Sequence, residues 1–242
     1  FIVFPFEKPF FDERGVPYVY AGNPLVDAVD GSQALSETRS SFLERTGLPD
    51  VEWVALLAGS RNMEIGSMMP TFMEFADALH AKRPELHFVV AAAPFRTMDD
   101  YAKYLGGRDF VHVVFGETYG ALRHARAAVI NSGTASLEAA LIGTPQVVTY
   151  KVAAASAFIM RRIIKVKYVS LANLIIDRLA FKEFLQENFT VENIMGEVEL
   201  LLDDESYRSR MLADYAEVRQ LLGGTGASRS VARAMIKGIP WR

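Results

Sequence analysis

The strongest constraint on this chain is an alternation. Short apolar runs of four or five residues recur along its first two thirds, and most are followed by a segment with helical spacing. That pattern builds strand–helix–strand units, whose strands lie parallel and are covered on both faces. The runs predict strands at Ile2–Phe4, Tyr18–Ala21, Trp53–Leu57, His87–Ala91, Val111–Val114, Ala127–Ile130 and Gln146–Tyr150. In "MMPTFMEFADALHAK", Met68, Phe72, Phe75 and Leu79 share one helical face. Pro70 fits such a helix only in its first turn. After Lys167 the pattern predicts helices alone, at Phe181–Asn188, Val191–Leu202, Glu205–Leu222 and Ser228–Lys237. The predicted fold class is therefore α/β: a Rossmann-like parallel sheet flanked by helices, with a helical C-terminal segment.

Half of the 242 residues are apolar, enough for a sizeable core. A net charge of -3 argues against a nucleic-acid partner. The absence of cysteine excludes disulfides and thiolate metal sites and fits a reducing compartment. His80, His87, His112 and His124 lack metal-ligand spacing, and the pairs Asp99-Asp100 and Asp203-Asp204 read as solvated, so no metal site and no cofactor are predicted. No apolar run reaches the roughly 18 residues of a membrane span. The chain starts without methionine, inside the apolar run "FIVFPFE". That start reads as a cut within a longer protein.

Ligands of open α/β sheets bind beyond the carboxyl ends of the strands, and three loops there carry candidate residues. In "AGSR", Gly59 allows close backbone approach, Ser60 can donate or cap, and Arg61 can fork onto a phosphate. From spacing alone, a capped helix start with a surface arginine is the simpler reading. In "NSGTASLEAALIGTPQVVTY", the strand gives way to Ser132, Gly133 and Thr134 before the next helix. Backbone N–H groups at such a helix start favour an anion. A capping box would need serine or threonine three residues before Glu138, and that position is Ala135. Glu138 is better placed to accept from a pair of ribose hydroxyls while the helix start holds phosphates. In "YVSLANL", Ser170 and Asn173 are polar residues in apolar surroundings, where turn chemistry is the simpler reading. "GGTGAS" follows a helix, so it reads as a helix stop and restart, not a dinucleotide fingerprint.

Taken together, "FPFE", "AGNPLVD", "LLAGSRNMEI" followed by Pro70, "NSGTASLEAALIGTPQVV", "YVSLANLI", "KEFLQ" and "GASRSVA" resemble the C-terminal part of lipid-A-disaccharide synthase. They occur in family order over nearly the whole chain. The resemblance implies the C-terminal lobe of a GT-B glycosyltransferase fold. It implies inverting transfer of 2,3-diacylglucosamine from UDP to 2,3-diacylglucosamine 1-phosphate in lipid A biosynthesis. This lobe would bind the UDP part of the donor, UDP-2,3-diacylglucosamine. Ser60 and Arg61 would face the pyrophosphate, Ser132, Gly133 and Thr134 would form the phosphate-binding helix start, and Glu138 would hold the ribose. Arg61 and Asn173 would be catalytic, and Ser170 would lie on the donor side. Residues 1–15 would end the N-terminal lobe and cross over, and 16–242 would form the nucleotide-sugar lobe. The acceptor site and the general base would belong mainly to the other lobe, leaving this chain inactive alone. The resemblance further implies a cytoplasmic protein, peripheral at the inner membrane of a Gram-negative bacterium, and is compatible with a homodimer. Two positions depart from the family pattern: Ala172 replaces a proline, and Asp177-Arg178 replaces Gly-Arg. Other readings of the same loops are another GT-B UDP-sugar transferase or epimerase lobe, or a non-catalytic nucleotide-binding module.

One further segment, "SAFIMRRIIKVKY", predicts a helix with Ile159, Met160, Ile163, Ile164 and Val166 on one face. Arg161, Arg162 and Lys165 gather opposite, with Phe158 among them. A basic face carrying an aromatic ring suits a surface of anionic lipid headgroups; a surface helix whose arginines bind acidic neighbours, with Phe158 packed on a loop, reads equally well.

Overall fold

The computed structural model of the chain describes residues 1–151 and 167–238. The predicted basic helix lies outside the described residues except for its last two, Lys167 and Tyr168. Among the described residues there is one six-stranded sheet, every neighbouring pair parallel, in the order β3-β2-β1-β4-β5-β6. Its strands are β1 (Trp53–Leu57), β2 (His87–Ala92), β3 (Val111–Phe115), β4 (Ala127–Asn131), β5 (Gln146–Tyr150) and β6 (Glu183–Leu185). The helices are α1 (Lys8–Glu13), α2 (Pro24–Asp30), α3 (Arg39–Thr46), α4 (Asn62–Lys82), α5 (Ala102–Leu105), α6 (Thr118–Arg123) and α7 (Thr134–Ile142). They continue with α8 (Leu171–Ile176), α9 (Val191–Asp203), α10 (Glu205–Leu222) and α11 (Ala227–Gly238).

The central strands are buried along their whole length because both faces are covered. On one face, Val54, Leu56, Phe88, Val90 and Val129 pack with Met68, Phe72, Phe75 and Leu79 of α4 and Ile194, Val198 and Leu201 of α9. On the other, Trp53, Ala55, Leu57, Val89 and Ile130 pack with Phe42 of α3 and Ala121 and Leu122 of α6. The Trp53 indole N–H finds the Ala121 carbonyl at 3.0 Å, so this large ring is buried without an orphaned donor. Gly120 makes that close approach possible, since a Cβ there would fall 2.3 Å from the Phe42 ring.

Four sequence expectations need correction. Ile2–Phe4 and Tyr18–Ala21 are not strands; they meet in a single bridge, Ile2 to Tyr20, and short helical turns occupy the stretch between them. The helix expected at Phe181–Asn188 is instead β6 followed by a 3-10 turn at Gln186–Asn188, so strands do not stop at Lys167. The reason is pairing: Val148, Thr149 and Tyr150 stand opposite Glu183, Phe184 and Leu185, and an open sheet edge outweighs a weak helical pattern. Pro70 is not in a first turn. It lies well inside α4, which starts at Asn62. Its missing N–H costs about 3 kcal/mol, a loss absorbed by the eight side chains that α4 buries. Asp203 and Asp204 are not merely solvated: Asp203 pairs with Arg83, and Asp204 caps α10 by accepting from Tyr207 N at 2.9 Å.

The C-terminal helices close the molecule. Gly223 ends α10, and Asp27 of α2 accepts from the backbone N–H groups of Gly226 and Ser228 as the chain restarts into α11. Those donors hold the Asp27 carboxyl below its ordinary range.

Candidate functional site: a cleft at the carboxyl end of the sheet

The cleft forms where β1, β2 and β4 end. It holds about 390 Å³ and is lined by the Gly59–Arg61 loop, Glu64, Ala91, Ala93, Thr118, the Asn131–Ala135 turn and Glu138. Strand order explains its position. The chain leaves β1 towards β2 on one side, while β4 flanks β1 on the other, so the loops after β1 and β4 diverge and leave a crevice.

One wall is the loop after β1. Gly59 sits at φ +98, where a side chain is strained, and a Cβ there would lie 2.4 Å from Glu64 Oε2 and 2.9 Å from Asn131 Nδ2. Glu64, in the first turn of α4, folds back and accepts from Ser60 N at 2.8 Å and Arg61 N at 3.0 Å. Burial alone would raise its carboxyl, but those N–H donors and the Arg61 guanidinium outweigh it, and the group is held below its ordinary range. Arg61 itself reaches outward. Its side chain is 82% exposed and touches Glu64 Oε1 at 3.1 Å.

The loop is braced from behind by Arg96, whose Nε donates to the Ser60 carbonyl at 2.8 Å. The same guanidinium reaches Asn62 Oδ1 and lies 3.5 Å from Asp100.

The opposite wall is the start of α7. Ser132 N donates to the Thr149 carbonyl at 2.7 Å, extending the β4–β5 ladder to the cleft floor. Gly133 caps α7 with no side-chain hydrogen bond, and no acidic residue lies in the first turn. Among the described residues, the positive end of the helix therefore faces the cleft without a protein anion on it. One turn on, Glu138 Oε1 accepts from the Tyr119 hydroxyl at 2.8 Å. Burial, then this bond, raises the Tyr119 pKa, so the phenol stays protonated. Asn131 ends β4 on the floor. It is 8% exposed, its Nδ2 is 3.4 Å from the Ala58 carbonyl, and its buried Oδ1 has no partner among the described residues.

The structure thus brings Ser60, Arg61, Ser132, Gly133, Thr134 and Glu138 together around one cleft. It does not bring Ser170 and Asn173 there. Asn173 is fully buried, donates to the Phe181 carbonyl at 3.1 Å and Glu183 Oε1 at 2.8 Å, and accepts from Ala180 N at 2.8 Å and Phe181 N at 3.4 Å. Both of its protons and its oxygen are engaged in fastening α8 to β6, so an active-site role for Asn173 has no support in this geometry. Ser170 caps α8, and among the described residues its buried hydroxyl has no partner.

Sequence reasoning missed Glu64, Arg96, Thr118, Tyr119 and Asn131. Glu64 had a signal, a glutamate three residues into the turn of a helix start. Arg96 and Tyr119 had none, because each reaches a partner far along the chain, 36 and 19 residues away.

Comparison with known proteins follows the same outline. A family model described as lipid-A-disaccharide synthetase matches residues 1–235. The chain is 35% identical over 239 residues to a lipid-A-disaccharide synthase of Trichlorobacter lovleyi, covering 98% of this chain and 62% of that protein. It is 37% identical over 240 residues to one of Myxococcus xanthus, with the same coverage. It therefore spans about three fifths of these relatives' length. Among solved structures, a UDP-GlcNAc 2-epimerase from Neisseria meningitidis bound to UDP-GlcNAc superposes with a TM-score of 0.67 at 16% identity, over 96% of this chain and 59% of that one. A spinosyn rhamnosyltransferase complexed with thymidine diphosphate gives 0.53 at 14% identity, over 77% of this chain and 46% of that one. These likenesses agree with the fold predicted from sequence, and the family match with its motifs: this chain belongs to the lipid-A-disaccharide synthetase family.

Proposed function

We propose that this chain binds the UDP part of a lipid-linked nucleotide sugar and forms the donor side of a lipid-A-disaccharide synthase. The reaction is inverting transfer of 2,3-diacylglucosamine from UDP to 2,3-diacylglucosamine 1-phosphate. The observation that carries the reading is the uncapped start of α7, which faces a 390 Å³ cleft with the Glu138 carboxylate one turn further on. Backbone N–H groups there suit a diphosphate, and the carboxylate suits a ribose diol.

In the transfer, the acceptor hydroxyl oxygen bonds to the anomeric carbon and gives its proton to a base. The bond from that carbon to the β-phosphate oxygen breaks, and UDP leaves with the electron pair. Negative charge grows on the diphosphate as it departs. Arg61 and the α7 start are the groups of this chain placed to stabilise it. No residue lining the cleft serves convincingly as the base, and in this reading it comes from a part of the enzyme outside this chain, as does most of the acceptor site. The reading also implies a protein working against the cytoplasmic surface of a membrane, since both substrates carry acyl chains. Among the described residues, no helix is long and apolar enough to cross one.

The test is thermal stability with and without UDP. At 100 times its dissociation constant a ligand adds about 2.7 kcal/mol, an easily measured shift. A folded chain that shows no shift at saturating UDP sinks the donor-site reading. With the full-length enzyme, a donor lacking acyl chains separates this reading from another UDP-sugar transferase, which would accept it.

A further inference from the structure

Tyr119 and Glu138 come from different helices and meet at the cleft wall. Thr118, next to Tyr119 in α6, lines the same cleft as Glu138. A glutamate on a helix surface has a loose terminal torsion and ordinarily samples many positions. Here its Oε1 accepts a hydrogen bond from a half-buried phenol at 2.8 Å. The Tyr119 ring packs against the main core cluster and has few torsions of its own, so its hydroxyl is a fixed point. Among the described residues, Oε2 has no hydrogen-bond partner, and Glu138 lines the cleft.

We propose that Tyr119 is a positioning residue: it pins one oxygen of Glu138 so that the carboxylate meets the hydroxyls of a bound nucleotide's ribose, and it thereby sets the preference for ribo- over 2′-deoxyribonucleotides. The inference rests on the reading of the cleft as a uridine-nucleotide site. A pinned carboxylate offers its lone pairs at fixed places, whereas a free one must be ordered on binding and gains less from each hydroxyl. Tyr119→Phe keeps the ring and its packing and removes only the pin. General loosening of the wall would weaken both nucleotides alike, so the ratio of their affinities separates positioning from packing.

The experiment is calorimetric titration of the chain with UDP and with 2′-deoxy-UDP, for wild type, Tyr119→Phe, Glu138→Gln and the double variant. Wild type is expected to prefer UDP by about tenfold or more, the scale of one hydrogen bond to a charged group. Tyr119→Phe should cut the preference to below about threefold with the melting temperature little changed. Glu138→Gln should flatten it alone, and the double variant should add nothing further. If wild type binds UDP and Tyr119→Phe keeps the full preference, the positioning role is overturned while the nucleotide site stands. The same holds if Glu138→Gln keeps it, an arm that remains decisive should Tyr119→Phe not fold. If wild type binds neither nucleotide, the site reading itself falls, and this inference with it.

Discussion

Arg96 holds the backbone of Ser60: its Nε sits 2.8 Å from the Ser60 carbonyl oxygen, across 36 residues of sequence. Arg96 lies on the loop after β2, and its side chain is 14% exposed. The bond turns the Ser60–Arg61 peptide so that its N–H points the other way, to Glu64. Arg96→Ala should therefore destabilise the fold by about 1.5–3 kcal/mol, the range for a hydrogen bond to a charged group, and weaken UDP binding as the loop loses its brace. Arg96→Lys should recover little, because an ammonium cannot serve Ser60 and Asn62 together as a planar fork does. Urea melts and UDP titrations check both. A folded Arg96→Ala chain with undiminished UDP affinity rules the brace out.

Arg61 and Glu138 should fail in different ways. In the proposed reaction Arg61 meets charge that grows as UDP leaves, so in the full-length enzyme Arg61→Ala should lower turnover by roughly 10²–10³-fold. In the same proposal Glu138 faces a ribose that does not change. Glu138→Ala should mainly weaken donor binding, by about 1.5–3 kcal/mol. Steady-state kinetics at saturating donor decide the matter: equal losses of turnover would refute the division of roles.

Gly59→Ala probes the turn after β1. The new methyl would lie 2.4 Å from Glu64 Oε2 at a residue with φ +98. The expected cost is about 1–3 kcal/mol for the strained backbone, plus displacement of Glu64. A chain as stable as wild type to urea would show that the turn relaxes freely.

Three histidines that the sequence left unconnected lie together where β2 and β3 begin. His87 Nδ1 is 2.9 Å from His112 Nε2, and the His80 ring is 6.1 Å from that of His87. Burial first, and then a neighbouring histidine, lowers both the His87 and His112 pKa values, with Asp109 opposing. Both groups are therefore more easily protonated in the unfolded chain. Their contribution to stability is fully present above the ordinary histidine value of about 6.5 and is lost as pH falls below it towards the folded values. Urea midpoints at pH 7.5 and 5.5 should show that loss, and His112→Leu should reduce the difference. An unaltered pH dependence in the variant would mean that other groups cause it.

Pro70→Ala should stabilise the chain by about 1–2 kcal/mol, the helix-interior cost of proline less its restraint on the unfolded chain. Thermal melts test this. A destabilised variant would mean that the proline ring contributes packing that outweighs the missing hydrogen bond.

The first five strands were legible because apolar residues run nearly unbroken through them, most fully where both faces are buried, and the predicted ends fall within one residue of the observed ones. β6 was not. It is a three-residue edge strand, only half-buried, and its Glu183 side chain accepts from Val169 N and Ser170 N at the start of α8. A residue whose side chain serves another element shows no strand pattern of its own. The departure at Asp177 has a local cause. The residue ends α8 at φ +50, a left-handed position that glycine fills most easily and aspartate tolerates. At the cleft, the helix start could be read because small residues follow a strand at once. Its supports could not, since Tyr119 and Arg96 act across distances that only the sheet brings together.

Glu64 also bears on what a ligand meets on arrival. With its carboxylate already on the Ser60 and Arg61 N–H groups, the loop after β1 keeps its shape while the cleft is empty. The entropy of ordering that loop is lost when the chain folds, not when a nucleotide binds. The wall is preorganised, and on that side the flexible part left to settle around the proposed diphosphate is the Arg61 side chain.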